Sequence, residues 1–193
     1  MTVTVDEFEV ADPPHAWMRA GFSVDSGVHA DPVCRVGDVR IRLVGRDRGT
    51  GIIGWSLRGL PSLGSFDDFD GIATAQSTRA PAEPASHPNG VTAIDHVVLL
   101  TPDLGRTVAS LAAIGVDPRR ERDAELGGRR VRQVFFRFGE VIIEVVGSPE
   151  TASDDCGVHK GEIGPDAGLH DVAPAVELGM SVRTAMISAN HRL

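Results

Sequence analysis

Glu144 is the only charge within VIIEVVG (141–147), and His96 sits within IDHVVLL (94–100), where Asp95 is the only other polar residue. Strand alternation places Glu144 on one face with Ile142 and Val146, and His96 on one face with Ile94, Val98 and Leu100. A carboxylate and an imidazole set in apolar strands need partners, because burying either one unpaired is costly. Two arrangements fit these residue types: the pair satisfy each other, or both bind one metal ion.

The surrounding pattern says which elements must hold them. AIDHVVLLT (93–101) reads as a strand, and PDLGRTVASLAAIG as a helix with Pro and Asp at its start, Gly115 at its stop and Val108, Leu111 and Ala112 as its apolar stripe. One weaker and two strong strands follow up to Gly147, turning at Gly127-Gly128 and at Gly139. The order over 93–147 is therefore β-α-β-β-β. Residues 1–60 read as a first, degenerate copy: an alternating strand in VTVDEFEVAD, about two helical turns in PPHAWMRAGF, a hairpin broken at Gly37, and a further strand in GIIGWSLRGL.

The two copies can be laid over each other. Arg35, Gly37, Val39, Ile41, Val44 and Gly45 recur 102 places later as Arg137, Gly139, Val141, Ile143, Val146 and Gly147. Val5-Asp6-Glu7 matches Ile94-Asp95-His96 at the shorter offset of 89. At these offsets GDVRIRLVG (37–45) is the counterpart of GEVIIEVVG (139–147), and Arg42 stands where the second copy has Glu144. Between the copies, residues 61–92 are rich in Pro, Ala and Ser and read as a linker. Residues 148–193 fit neither copy and read as an irregular tail with a strand near 180–188.

Composition bounds the function. The chain has 193 residues and a formal charge of −8, which argues against a broad nucleic-acid surface. Its two cysteines cannot form a disulfide framework. No apolar run approaches the roughly 18 residues of a membrane span. The acidic, alternating opening MTVTVDEFEV lacks a signal pattern, so the expected location is cytoplasmic, with neither nucleic acid nor membrane as partner.

A β-α-β-β-β unit with His on its first strand (IDHVVLLTPDL) and Glu on its last (FGEVIIEVVG) resembles the vicinal oxygen chelate superfamily, which includes glyoxalases, epimerases, extradiol dioxygenases and bleomycin-resistance proteins. The resemblance implies an α+β, glyoxalase-like fold in which paired βαβββ modules form a curled mixed sheet around a cavity. It implies metal ligands on the first and last strands of each module, which are His96 and Glu144 in the second and Glu7 and Arg42 in the first. A guanidinium has no lone pair to offer, so Arg42 breaks the four-ligand set. His96, Glu144 and Glu7 remain as ligands for Zn, Mn, Fe or Ni.

The implied activity is that of a small-molecule-binding protein, as an enzyme a metal-dependent lyase or isomerase acting on vicinal oxygens, with Glu144 or Glu7 moving a proton. Two alternatives stand beside it. One is a metal-free, ligand-sequestering protein of the bleomycin-resistance type, in which Glu7, Glu9, Arg40 and Arg42 pair across strands instead of holding a metal. The other is an interaction module that dimerises through a sheet edge. The six arginines between Arg119 and Arg132 read as a solvated hairpin or as a clamp for an anionic ligand. Trp17 and Trp55 read as core or cavity wall, and the short Cys156 to His159 spacing lacks the second pair of a zinc site.

Overall fold

The computed structural model describes residues 2–27, 30–61 and 68–149, together with the backbone of 172–173 and 186–187. Cys156, His159 and most of the tail lie outside the described residues. The first part of the chain forms β1 (Thr4–Val10), α1 (Pro14–Arg19), β2 (Val33–Val36), β3 (Val39–Leu43), β4 (Ile52–Arg58), β5 (Asp68–Phe69) and β6 (Ile72–Ser77). The second part forms β7 (His96–Leu100), α2 (Leu104–Ala113), β8 (Arg120–Leu126), β9 (Arg129–Phe138) and β10 (Val141–Gly147). A last antiparallel pair, β11 (Val172–Ala173) with β12 (Met186–Ile187), lies in the tail.

Glycines in left-handed conformations set the hairpins. Gly127 and Gly128 both have positive φ, as a two-residue type I′ turn demands, and they join β8 to β9 with Leu126 opposite Arg129. Gly37 and Gly139, also at positive φ, each begin a two-residue turn, placing Val36 opposite Val39 and Phe138 opposite Val141. Asp103 caps α2 by accepting from the backbone N–H of Arg106. α2 buries Leu104, Thr107 and Leu111, while Val108 is half-buried and Ala112 exposed, so its inward stripe runs one position N-terminal of the expected one except at Leu111.

The ladder registers reproduce the internal repeat. β1 runs parallel to β3 with Glu7 opposite Arg40 and Glu9 opposite Arg42. β7 runs parallel to β10 with His96 opposite Ile142 and Val98 opposite Glu144. Adding 89 on the first strand and 102 on the last converts one register into the other, so the two offsets read from sequence describe one pairing written twice. β2 and β3 thus correspond to β9 and β10.

The sheets do not curl into one. The strands fall into a six-stranded sheet in the order β2-β3-β1-β4-β6-β5 and a separate four-stranded sheet in the order β7-β10-β9-β8, and neither closes or curls strongly. The expectation of paired modules forming a curled mixed sheet around a cavity is corrected here. The physical reason lies in where backbone hydrogen bonds go. The second edge of β1 is taken by β4, which continues into β6 and β5, so the first module extends sideways in its own ladder. The four-stranded sheet ends at β8, whose five charged side chains are all exposed.

Two compact units partition the chain: Met1–Val5, Leu57–Thr78 and Asp95–Ala167 in one, and Asp6–Ser56, Arg79–Ile94 and Gly168–Leu193 in the other, the boundary falling within β1 and β4. The core of the first includes Val134, Phe136, Phe138, Val141, Ile143 and Val145, all on one face of the four-stranded sheet, with Leu111 of α2 also fully buried. In the same unit Asp70, at φ 51°, accepts from Arg106 Nε and Thr107 Oγ1. The second unit buries Phe8, Val10, Cys34, Ile41, Leu43, Trp17 and Trp55, with the Trp17 indole donating to buried Asp12. Its stretch 79–92 is tied down by backbone bonds from Ala82 to Asp38 and from Ala85 to Arg35, and by His87. His87 faces a backbone N–H (Ser23) at Nδ1 and a carbonyl (Arg35) at Nε2, so Nε2 carries the proton and the ring is neutral.

Candidate functional site

In a ladder, residues in register share a face and neighbours along a strand alternate. The registers therefore put His96, Val98 and Leu100 of β7, Ile142, Glu144 and Val146 of β10, Phe135 and Gln133 of β9, and Arg120 and Arg122 of β8 on one face of the four-stranded sheet. The opposite face carries the buried core. On the first face Val98, Leu100, Ile142 and Phe135 are half-buried, Glu144 is only 8% exposed, and Arg120 and Arg122 are exposed. The result is an apolar floor with one buried carboxylate and a cationic border.

His96 and Glu144 thus come together on one face, as diagonal neighbours on adjacent parallel strands. Each also has a partner of its own. Asp95 Oδ2 lies 2.8 Å from His96 Nδ1, with Asp95 largely exposed. Glu144 Oε1 accepts from the Gln133 amide, and Gln133 Oε1 accepts in turn from Arg122 Nε. The orientation of the Gln133 amide follows: arginine only donates and a carboxylate only accepts, so both contacts are met with its oxygen towards Arg122 and its nitrogen towards Glu144. The Arg122 guanidinium also lies 5.7 Å from the centre of the Phe135 ring, within the range of a cation–π contact.

Glu7 occupies the position of His96 in the first module, and its surroundings are entirely different. Its Oε1 accepts from Arg42 Nε at 2.9 Å and its Oε2 from Arg79 Nη2 at 3.0 Å, so both oxygens are held by guanidinium groups. Arg42 also reaches Glu9 at 2.5 Å and Asp31 at 3.2 Å. Asp6, fully buried, receives both Arg40 and Arg79. Burial pushes the Arg42 guanidinium pKa down, and its bonds to Glu7 and Asp31 and the charges of Glu9 and Glu7 more than offset this, so it ends above the usual arginine value. The cross-strand pairing of Glu7 and Glu9 with Arg42 is as the residue pattern suggests, whereas Arg40 turns to Asp6.

Sequence reading passed over Gln133, Arg79 and Asp6. Gln133 was recoverable: the two-residue turn at Gly139-Glu140 fixes the register, and alternation then places Gln133 on the face of Glu144. Arg79 offered no signal, because it lies in a Pro/Ala stretch without periodicity.

No family model and no curated protein matches the chain. Among solved structures, it is similar to a 4-hydroxymandelate synthase variant from Streptomyces coelicolor, with a TM-score of 0.52 and 17% identity, covering 78% of this chain and 64% of that one. A fusion of a xylose isomerase-like TIM barrel with 4-hydroxyphenylpyruvate dioxygenase aligns at a TM-score of 0.46 and 15% identity, over 78% of this chain and 32% of that one. Lactoylglutathione lyase from Agrobacterium tumefaciens aligns at 0.28 and 12%, over 75% and 91%. The fold is like that of the synthase. The likeness is one of fold, and the chain spans a little under two thirds of the length of the synthase.

As donors for a metal ion, His96 and Glu144 have the right chemistry. The Nδ1 contact with Asp95 leaves Nε2 as the ligand nitrogen, the carboxylate–histidine arrangement common around bound metals. A catalytic zinc takes three protein ligands. Among the described residues no three His, Cys, Asp or Glu side chains group as a metal site, so the pair on its own falls one ligand short. Among the described residues, too, no helix is long and apolar enough to cross a membrane.

Proposed function

We propose that the protein binds a small molecule on the half-buried face of the four-stranded sheet, with Glu144 as its central polar contact and Phe135, Val98, Leu100 and Ile142 as its apolar floor. One observation carries this reading. Glu144 is buried, yet among the described residues a single hydrogen bond, from Gln133, meets it, whereas Glu7 at similar burial has both oxygens held. A buried carboxylate with one partner bears a desolvation cost that a further donor would relieve. A ligand hydroxyl or ammonium group is such a donor.

The test is a thermal-shift screen of small hydroxylated and amine-bearing organic compounds against wild type and Glu144→Ala. Compounds that stabilise wild type are expected to lose their effect in the variant. Hits that stabilise both equally would overturn the site.

A second reading, a divalent-metal-dependent lyase or isomerase acting on vicinal oxygens, is favoured by the Nε2 of His96, which has no partner among the described residues and lies on the same face as Glu144. It calls for a third ligand beyond this pair. Elemental analysis separates the two readings: a stoichiometric divalent metal that is lost in both His96→Ala and Glu144→Ala supports the metal reading. Wild type that binds no metal when supplied with Zn, Mn, Fe or Ni removes it.

A further inference from the structure

We propose that Arg122 is a preorganised seat for an oxyanion, a carboxylate or phosphoryl group, and that Gln133 couples this seat to Glu144. The proposal rests on the binding face described above and adds the chemical class of its ligand: an amphipathic oxyanion that also carries a hydroxyl or ammonium group.

An exposed arginine on an edge strand ordinarily samples many rotamers, and fixing it costs side-chain entropy. Arg122 is already fixed in two ways. Its Nε donates to Gln133 Oε1, and its guanidinium lies over the Phe135 ring. Only one of its five N–H donors is used by Gln133, and no other hydrogen bond or ion pair engages it among the described residues. The terminal nitrogens, the end that grips carboxylate and phosphate through two parallel bonds, stay available.

The charge layout of β8 reinforces the seat. Arg120 lies two residues away on the same face, and Arg137 of β9 shares that face opposite Ile142. The acids Glu121, Asp123 and Glu125 all lie on the other face, where Asp123 is paired with Arg132 at 2.8 Å. The binding face therefore presents four arginines along its border, Arg120, Arg122, Arg129 and Arg137, of which Arg137 lies 3.7 Å from Glu140, and keeps Glu144 buried at its centre. A ligand anion at Arg122 meets no acid of β8.

Coupling follows from the single orientation available to Gln133. Its amide bridges Arg122 and Glu144 directly, so an anion that draws the guanidinium outward changes the hydrogen bond that Glu144 receives. Binding at the two ends is thus linked through one side chain.

The experiment uses the full chain, isotopically labelled, titrated with inorganic phosphate and in a separate arm with propionate, while the Arg122 Nε, Gln133 side-chain amide and Glu144 carboxyl resonances are followed by NMR. Saturable shifts at all three are expected in wild type. Arg122→Gln is expected to weaken binding about tenfold, the loss typical of one charge-assisted contact. Arg122→Lys, which keeps the charge and loses the planar fork, should fall in between. Arg130→Gln, on the opposite face of the same hairpin, should leave affinity unchanged. Gln133→Leu, which removes one of the two restraints on Arg122, should weaken anion binding less than Arg122→Gln does and abolish the shift at Glu144 at saturation. The tighter of the two arms identifies the headgroup as phosphoryl or carboxylate.

Equal weakening by Arg122→Gln and Arg130→Gln would reduce the effect to overall charge and overturn the seat. A Glu144 resonance that stays still at saturation would overturn the coupling. If anions fail to bind while Glu144-dependent ligands persist, the seat falls and the binding face stands. If anions bind at Arg122 while no ligand depends on Glu144, the binding face falls instead.

Discussion

Glu7, Glu9, Arg40 and Arg42 in the first module occupy the register positions that His96, Val98, Ile142 and Glu144 occupy in the second. The backbone presents the four positions in the same way. In the first module acids and arginines fill all four and, with Asp6, Asp31 and Arg79, form a continuous network of ion pairs. In the second, two positions are apolar, and the remaining imidazole and carboxylate each have one partner among the described residues. One copy of the repeated unit thus carries a clamp of ion pairs where the other carries an imidazole and a carboxylate with one partner each among the described residues. The charge reversal from Glu144 to Arg42 is where the copies part.

Stability measurements on paired variants can break this comparison. The largest effect is expected for Asp6→Ala, which strips a fully buried carboxylate from two arginines and should cost about 3 kcal/mol in denaturant unfolding. An unchanged midpoint would show that the network is not structural. Arg42→Ala should cost roughly 2 kcal/mol, less than a fully buried pair because its side chain is one-third exposed. Its counterpart Glu144→Ala should cost under about 1 kcal/mol, since one hydrogen bond is lost. If Glu144→Ala proves the more damaging of the two, the division into clamp and site is wrong.

A subtler difference is expected at high pH. Cys34, wholly buried in β2, has its thiol pKa pushed up to about 12 by burial and the nearby Asp25 charge, with Arg35 opposing. Once unfolded, the thiol ionises near pH 8.5. Above about pH 9 the unfolded chain therefore binds fewer protons than the fold, and stability should fall as pH rises towards 12, by up to ~1.4 kcal/mol per pH unit. The chain has no tyrosine, so few other groups titrate in this range. Urea unfolding of Cys156→Ser protein at pH 8, 9.5 and 11 should show the decline, and adding Cys34→Ala should flatten it.

The smallest effect belongs to the solvent-facing pair Arg132 and Asp123. The bond from Arg132 holds the Asp123 carboxyl below the usual aspartate range, so its contribution is present at neutral pH and lost as pH falls through that lowered value. Both groups are on the surface, and Arg132→Gln should leave the melting temperature within error at pH 7. A clear drop would mean that the hairpin face is less solvated than its position suggests.

Much of this architecture is legible in the chain itself. The offsets 102 and 89 anticipate the two parallel registers residue for residue, because glycine turns and strand alternation are local and survive in one sequence. The placement of His96 with Glu144 follows from the same logic. The sideways growth of the first sheet was not legible: β5 is two residues long, half of β6 is polar, and the pairing of β6 with β4 is a long-range choice that no periodicity encodes. The commitment of Glu7 to Arg79 was equally hidden, since 72 positions and a proline-rich stretch separate the two.

The sorting of charge on β8 has a consequence for how copies of the protein meet. Two such strands laid edge to edge and antiparallel, in one continuous sheet, must set residues of the same face against each other. Within the strand, Arg120 and Arg122 would then face arginines or the uncharged Ala124 and Leu126, and Glu121, Asp123 and Glu125 would face only acids, so no slip sets an arginine of β8 against an acid of its copy. A seven-residue edge that would otherwise be an open template for its own kind is repelled by its own image. The same alternation that gathers Arg120 and Arg122 on one face thereby makes this edge a poor template for a second copy.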